Sequence, residues 1–88
     1  MPEGMDSEAA GRTAGQTRDH AKHLAATLTR TARALETSVA LAQYHAERHE
    51  QAGRSDAALK ERRAAERAWE AAQRARLAAE HWLERSLE

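Results

Sequence analysis

Small or apolar residues, with one histidine among them, recur every seven positions in two stretches of this chain. The two repeats consist of Leu28, Leu35, Ala42 and His49, and of Ala58, Ala65, Ala72 and Ala79. A seven-residue repeat places its members on one face of an α-helix. The pattern therefore predicts two long amphipathic helices.

Glycine interrupts the helical pattern at one interior point. The only proline and three of the four glycines lie in the first fifteen residues, and the remaining glycine is Gly53. We expect Gly53 to follow the last turn of helix 1 and Ser55 to be the N-cap of helix 2. The prediction is a hairpin over residues 17–88, with helix 1 at about 18–52, a turn at 53–55 and helix 2 at about 56–87.

The first sixteen residues mix glycine, serine, threonine and charged residues without periodicity. Such a segment gains little from packing, so residues 1–16 are predicted to be a disordered or frayed tail. Thr17 is the expected N-cap of helix 1, with Asp19 in its first turn.

Folding the chain at Gly53 brings the two repeats into register. Leu35 then faces Ala72, and the other pairs keep the same offset. Large residues opposite alanines let two antiparallel helices approach closely, as in a coiled coil. The predicted seam consists of Leu28, Leu35, Val39, Ala42, Ala58, Ala65, Ala72 and Ala79. The fold class is all-α, a long antiparallel two-helix hairpin.

Several large apolar residues fall outside the seam and predict a partner surface. They are Leu41, Tyr44, Leu59, Trp69, Leu77 and Trp82. A chain of 88 residues buries a modest fraction of its surface, and alanine contributes little transfer free energy. We therefore expect a homodimer, in which two hairpins form a four-helix bundle. A helix of another protein is the alternative occupant.

Charge and composition narrow the classes of partner. The 14 basic and 14 acidic residues cancel, which removes the usual electrostatic argument for nucleic acid. Opposite charges four residues apart, such as Arg62 with Glu66 and Arg76 with Glu80, predict a solvated outer face. No apolar run is long enough for a membrane span and no cysteine is present, so a cytoplasmic location without membrane partners is expected.

His45 and His49 are spaced so that both imidazoles lie near one another on helix 1. Glu61 would face them across the turn and complete a transition-metal site for Zn or Ni. The motif His-Ala-Glu-Arg-His lacks the glutamate position of the zinc-protease motif. Histidines at a helix C-terminus are also explained by the helix dipole. A metal-binding helical bundle is thus an alternative function, and no cofactor is otherwise predicted.

Four arginines near the turn offer a second alternative, a small nucleic-acid-associated protein. They are Arg54, Arg62, Arg63 and Arg67, and acidic residues interleave with them. Catalysis has less support, because no triad, phosphate loop or concave pocket is predicted. The sequence therefore favours a non-enzymatic interaction or scaffold module.

Overall fold

The computed structural model describes the backbone of residues 2–88 and the side chains of residues 11–88. Two α-helices, α1 (Pro2–Gln51) and α2 (Ser55–Ser86), pack against each other in opposite directions. The rod they form is 79 Å long and 14 by 13 Å across its Cα positions. The predicted all-α hairpin of two packed helices is confirmed.

The N-terminal end of α1 differs from the prediction. Helix α1 begins at Pro2, not near Arg18. Proline suits a first helical position, where its missing N–H would have no partner. Thr17 is not a cap, because its hydroxyl donates to the Thr13 carbonyl oxygen at 3.0 Å within the helix. Met1, part of the predicted tail, lies outside the described residues, and fraying of residues 2–16 stays a prediction.

The turn joins the helices through a Schellman motif. The Gly53 N–H donates to the Glu50 carbonyl at 3.0 Å, and the Arg54 N–H donates to the His49 carbonyl at 2.8 Å. This geometry requires a left-handed residue, and Gly53 has φ of 74°. Helix α2 starts directly afterwards at Ser55, so Arg54 occupies the N-cap position that was predicted for Ser55, without a side-chain capping bond.

The contact between the helices is made almost entirely of alanine. The buried residues among 11–88 are Ala21, Ala25, Ala32, Ala42, Ala46, Ala58, Ala65, Ala72, Ala75, Ala79 and Ser86. Three predicted seam residues of α1, Leu28, Leu35 and Val39, are half-buried. Helices in close contact leave no space for a large side chain between them, so larger residues lie along the edges of the alanine line.

Over the residues that the structure describes, neither helix has an apolar stretch long enough to cross a membrane.

Replacing Ala72 by leucine tests the close approach of the helices. Ala72 has no exposed surface, so the added side chain should push the helices apart and cost about 1–3 kcal/mol of unfolding free energy. The measurement is denaturant unfolding followed by circular dichroism. Ala34→Leu is the matched control, because Ala34 is exposed. Equal stability of the two variants would contradict the seam.

Replacing Gly53 and Gly15 by alanine should have opposite effects on stability, because Gly53 lies in the turn and Gly15 lies within a helix. Gly53→Ala forces an L-residue into the left-handed region and should destabilise the hairpin by about 1–2 kcal/mol. Gly15→Ala adds a methyl group that meets nothing within 4 Å inside a helix, so it should raise the helix content. Thermal unfolding of both variants decides, and a stabilising Gly53→Ala would disprove the turn geometry.

Candidate interaction surface

Two ion pairs cross from α2 to α1 on one long side of the hairpin. Arg62 contacts Glu50 at 2.7 Å, and Arg76 pairs with Glu36. The partners are two heptads apart on each helix, so both pairs lie on the same side. Their side chains are 41–50% exposed, and exposed pairs contribute at most about 1 kcal/mol each. They nevertheless hold the side chains of Arg62 and Arg76 across the boundary between the two helices, against α1.

Trp69 lies on this same side, one heptad from Arg62 and one from Arg76. Its side chain is 54% exposed. A shallow cavity of about 280 Å³ lies beside it, lined by Val39, Gln43, Arg62, Ala65, Glu66 and Trp69. The Trp69 indole is a large apolar group that remains about half exposed to solvent. It is therefore a candidate anchor for a protein partner.

Leu59 and Leu83 extend the apolar row toward the two ends of the rod. Leu59 borders a shallow cavity near the turn that Glu50 and Arg62 also line, and Leu83 borders another near the open end of the hairpin. Both leucines are about half exposed. We call this side the Trp69 face. Its apolar members and ion pairs alternate along α2 in the order Leu59, Arg62, Trp69, Arg76 and Leu83.

Two carboxylates on the Trp69 face have no ion-pair partner within the described part of the chain. Glu66 and Glu80 were expected to pair along α2 with Arg62 and Arg76, but both arginines pair with α1 instead. The cross-helix geometry therefore leaves two negative charges of this face unneutralised.

The six residues predicted as a partner surface do not share one side. Only Leu59 and Trp69 belong to the Trp69 face. Leu41 and Gln43 flank the buried Ala42 on opposite sides, and Gln43 lines the Trp69 cavity, so Leu41 lies on the other side of the hairpin.

The other predicted partner residues also lie away from the Trp69 face. Helical spacing places Tyr44 and Leu77 roughly opposite the seam on their helices. Tyr44 is covered in part by Arg48, whose guanidinium lies 5.9 Å from the ring centroid. Trp82 is half-buried in the seam column of Ala75 and contacts His81 edge to face at 5.4 Å.

Leu83 was not among the predicted partner residues. Leu83 is half exposed, and it lies on the side of Arg76 and Trp69 because it is one heptad beyond the first and two beyond the second. That spacing was visible in the sequence. The spacing shows only that Leu83 and Trp69 share a side, and the ion pairs of Arg62 and Arg76 with α1 show which side it is.

The structure does not assemble the proposed metal ligands. Among residues 11–88, no three histidine, aspartate or glutamate side chains lie close enough together to hold an ion. His49 Nδ1 accepts a hydrogen bond from Arg54 Nε at 2.9 Å, which occupies one ligand atom and places a cation beside it. His45 is exposed, whereas His49 and Glu61 are half-buried.

The arginine patch near the turn is partly engaged within the chain. Arg62 is paired with Glu50, and Arg54 donates to His49. Arg63 and Arg67 are exposed. The positive charge available for phosphate contacts is therefore smaller than the four arginines suggest.

Comparison with protein-family models, curated proteins and solved structures finds no match to this chain.

Removing the carboxylates of the two ion pairs tests their contribution to stability. The double variant Glu36→Gln/Glu50→Gln should lose less than about 2 kcal/mol, because both pairs are exposed to solvent. The loss should shrink at high salt. Glu70→Gln/Glu84→Gln, also two heptads apart but without an ion pair among residues 11–88, is the control. Unfolding in urea at low and high salt measures both, and a salt-independent loss would argue against the pairs.

Proposed function

We propose that this protein is a non-enzymatic interaction or scaffold module that self-associates through the Trp69 face to form a four-helix bundle. The observation that carries this proposal is the row of Leu59, Trp69 and Leu83, half exposed on one side of a hairpin whose own core is alanine. Burying that row against a partner adds the apolar area that the seam lacks.

The thin core supports the need for a partner. No large side chain among residues 11–88 is fully buried. Small folds with so little core usually depend on disulfides, metals or association for stability. The chain contains no cysteine, so association is the stabilising device that the remaining residues favour.

The dimensions of the Trp69 face suit a stable dimer. The overlap of the helices extends along α2, whose 32 residues give a length of about 48 Å. Two adjacent helices are about 20 Å wide, so the face offers about 900 Å² per copy. Stable protein interfaces bury about 800 Å² per partner.

The Trp69 face carries both positive and negative charges, which suits a second copy of this chain better than a partner whose surface is uniformly positive or negative. The face carries arginines and glutamates in alternation, with Glu66 and Glu80 unneutralised among the described residues. A surface with both signs can pair with a rotated copy of itself, because unlike charges can then lie opposite each other. A partner with a uniformly charged surface would meet like charges on the same face.

Trp69→Ala should weaken self-association. Removing the central indole should raise the dimer dissociation constant about tenfold or more, as for a buried aromatic anchor. The measurement is light scattering after size exclusion, over a range of protein concentrations. Leu77→Ala is the control, because Leu77 is 65% exposed on a different side and should leave the mass unchanged. A wild-type protein that elutes with the 9.8 kDa mass of one chain at all concentrations would refute the proposal.

A further inference from the structure

We propose that the second copy docks on the Trp69 face with its Gly53 turn at the opposite end of the rod. This inference rests on the proposed self-association and adds its orientation and register. The two-fold axis crosses α2 at the level of Ala71, between Trp69 and Gln73. All four helices then run antiparallel to their neighbours.

The charges and apolar residues of α2 match their rotated copies about this axis. Leu59 lies opposite Leu83 of the second copy, and Trp69 lies opposite Gln73. Arg62 faces Glu80, and Glu66 faces Arg76, in each case at equal distances along the helix from Ala71. Glu66 and Glu80, which have no ion-pair partner among the described residues, thus each meet an arginine of the second copy. That arginine is already held by a glutamate of α1 in its own chain. The interface would join three charges in each network instead of isolated pairs.

The same axis also relates the α1 helices of the two copies. The seam register places Glu36 at the level of Ala71, since Leu35 is paired with Ala72. Rotation about that level puts Lys22 opposite Glu50 of the second copy and Thr29 opposite Gln43, and it brings the two copies of Glu36 together at the axis, each paired with its own Arg76. The α1 edge of the face is basic near the open end, where Lys22, Arg30 and Arg33 line one cavity. It is acidic near the turn, so opposite orientation brings unlike ends together.

The other two-fold arrangement, with both turns at the same end, is disfavoured by the same residues. It places α1 of one copy against α2 of the other at equal levels. Leu59 would then face Glu47 and Glu50, which would desolvate carboxylates against an apolar side chain. Glu66 would face Gln43 and gain no cation, whereas Glu80 would lie near Thr29 and Arg30 at the basic end of α1.

The antiparallel arrangement has a consequence for the scaffold role. Helix α1 continues past the end of α2, and residues 11–20 are almost all exposed. A dimer with opposed turns holds these two α1 extensions at opposite ends of the bundle. The assembly would thus be a symmetric spacer with the same helix projecting at each end.

A distance between spin labels on the two turns tests the orientation. The chain has no cysteine, so Ser55→Cys gives a single labelling site, and Ser55 is exposed at the start of α2 without a side-chain hydrogen bond. Pulsed dipolar spectroscopy on the labelled full chain should give a distance of about 50 Å, from 1.5 Å per residue on each side of the axis. A distance of about 20 Å would place both turns at one end and overturn the orientation.

Light scattering on the same labelled sample separates the two proposals. A dimer mass with the short distance leaves self-association intact and refutes only the antiparallel docking. A monomer mass with no dipolar coupling refutes both.

A charge-reversal control checks the register by a second route. Glu66→Lys/Glu80→Lys places two cations opposite Arg76 and Arg62 of the second copy and should raise the dissociation constant at least about tenfold. Glu70→Lys/Glu84→Lys makes the same change of net charge away from the face and should change it little. Equal weakening by the two variants would contradict the register.

Discussion

The structure depends on the close contact of two helices along a line of alanines. Each alanine presents one methyl group to the opposite helix, so the backbones approach more closely than leucine would allow. Ala32, Ala46 and Ala72 are fully covered by this contact. The contact requires that the chain reverse within very few residues, and Gly53 permits this because it adopts positive φ while the last carbonyls of α1 bond to the turn.

An alanine seam determines where every larger apolar residue can lie. Leu28, Leu35 and Val39 border the seam, while Leu59, Trp69 and Leu83 are left half exposed on one side. The arginines between them reach over the edge of the seam to glutamates of α1. Close packing inside the hairpin thus produces a patterned outer surface, which is the physical basis for proposing self-association as its function.

The hairpin could be predicted from the sequence because its two determinants are local. Heptad spacing identifies the buried face of each helix, and a single interior glycine identifies the reversal. The start of α1 could not be predicted in this way. Thr17 has the residue type of a cap, but its hydroxyl is equally satisfied by the Thr13 carbonyl inside a helix. Ser55 failed as a cap for a related reason, since the Schellman turn ends at Arg54 and leaves no further loop residue.

The candidate surface was harder to predict than the fold. Distance from the seam shows that a residue is exposed, but it does not show on which side of the hairpin it lies. The sequence pattern therefore groups Tyr44, Leu77 and Trp69, although they occupy different sides of the hairpin. The pairs Arg62–Glu50 and Arg76–Glu36 show the side on which Trp69 lies. Contacts at spacing i, i+4 compete with these cross-helix pairs, and the sequence alone does not show which set forms.

The central claim is that a second copy of the chain stabilises the hairpin. Its most direct test is the dependence of the midpoint of thermal unfolding on protein concentration. If folding and association are coupled, circular dichroism melts should shift upward by several degrees for a hundredfold increase in concentration, because mass action favours the associated state. A midpoint that stays constant over that range would contradict it, since the alanine seam would then be sufficient to hold a single chain folded.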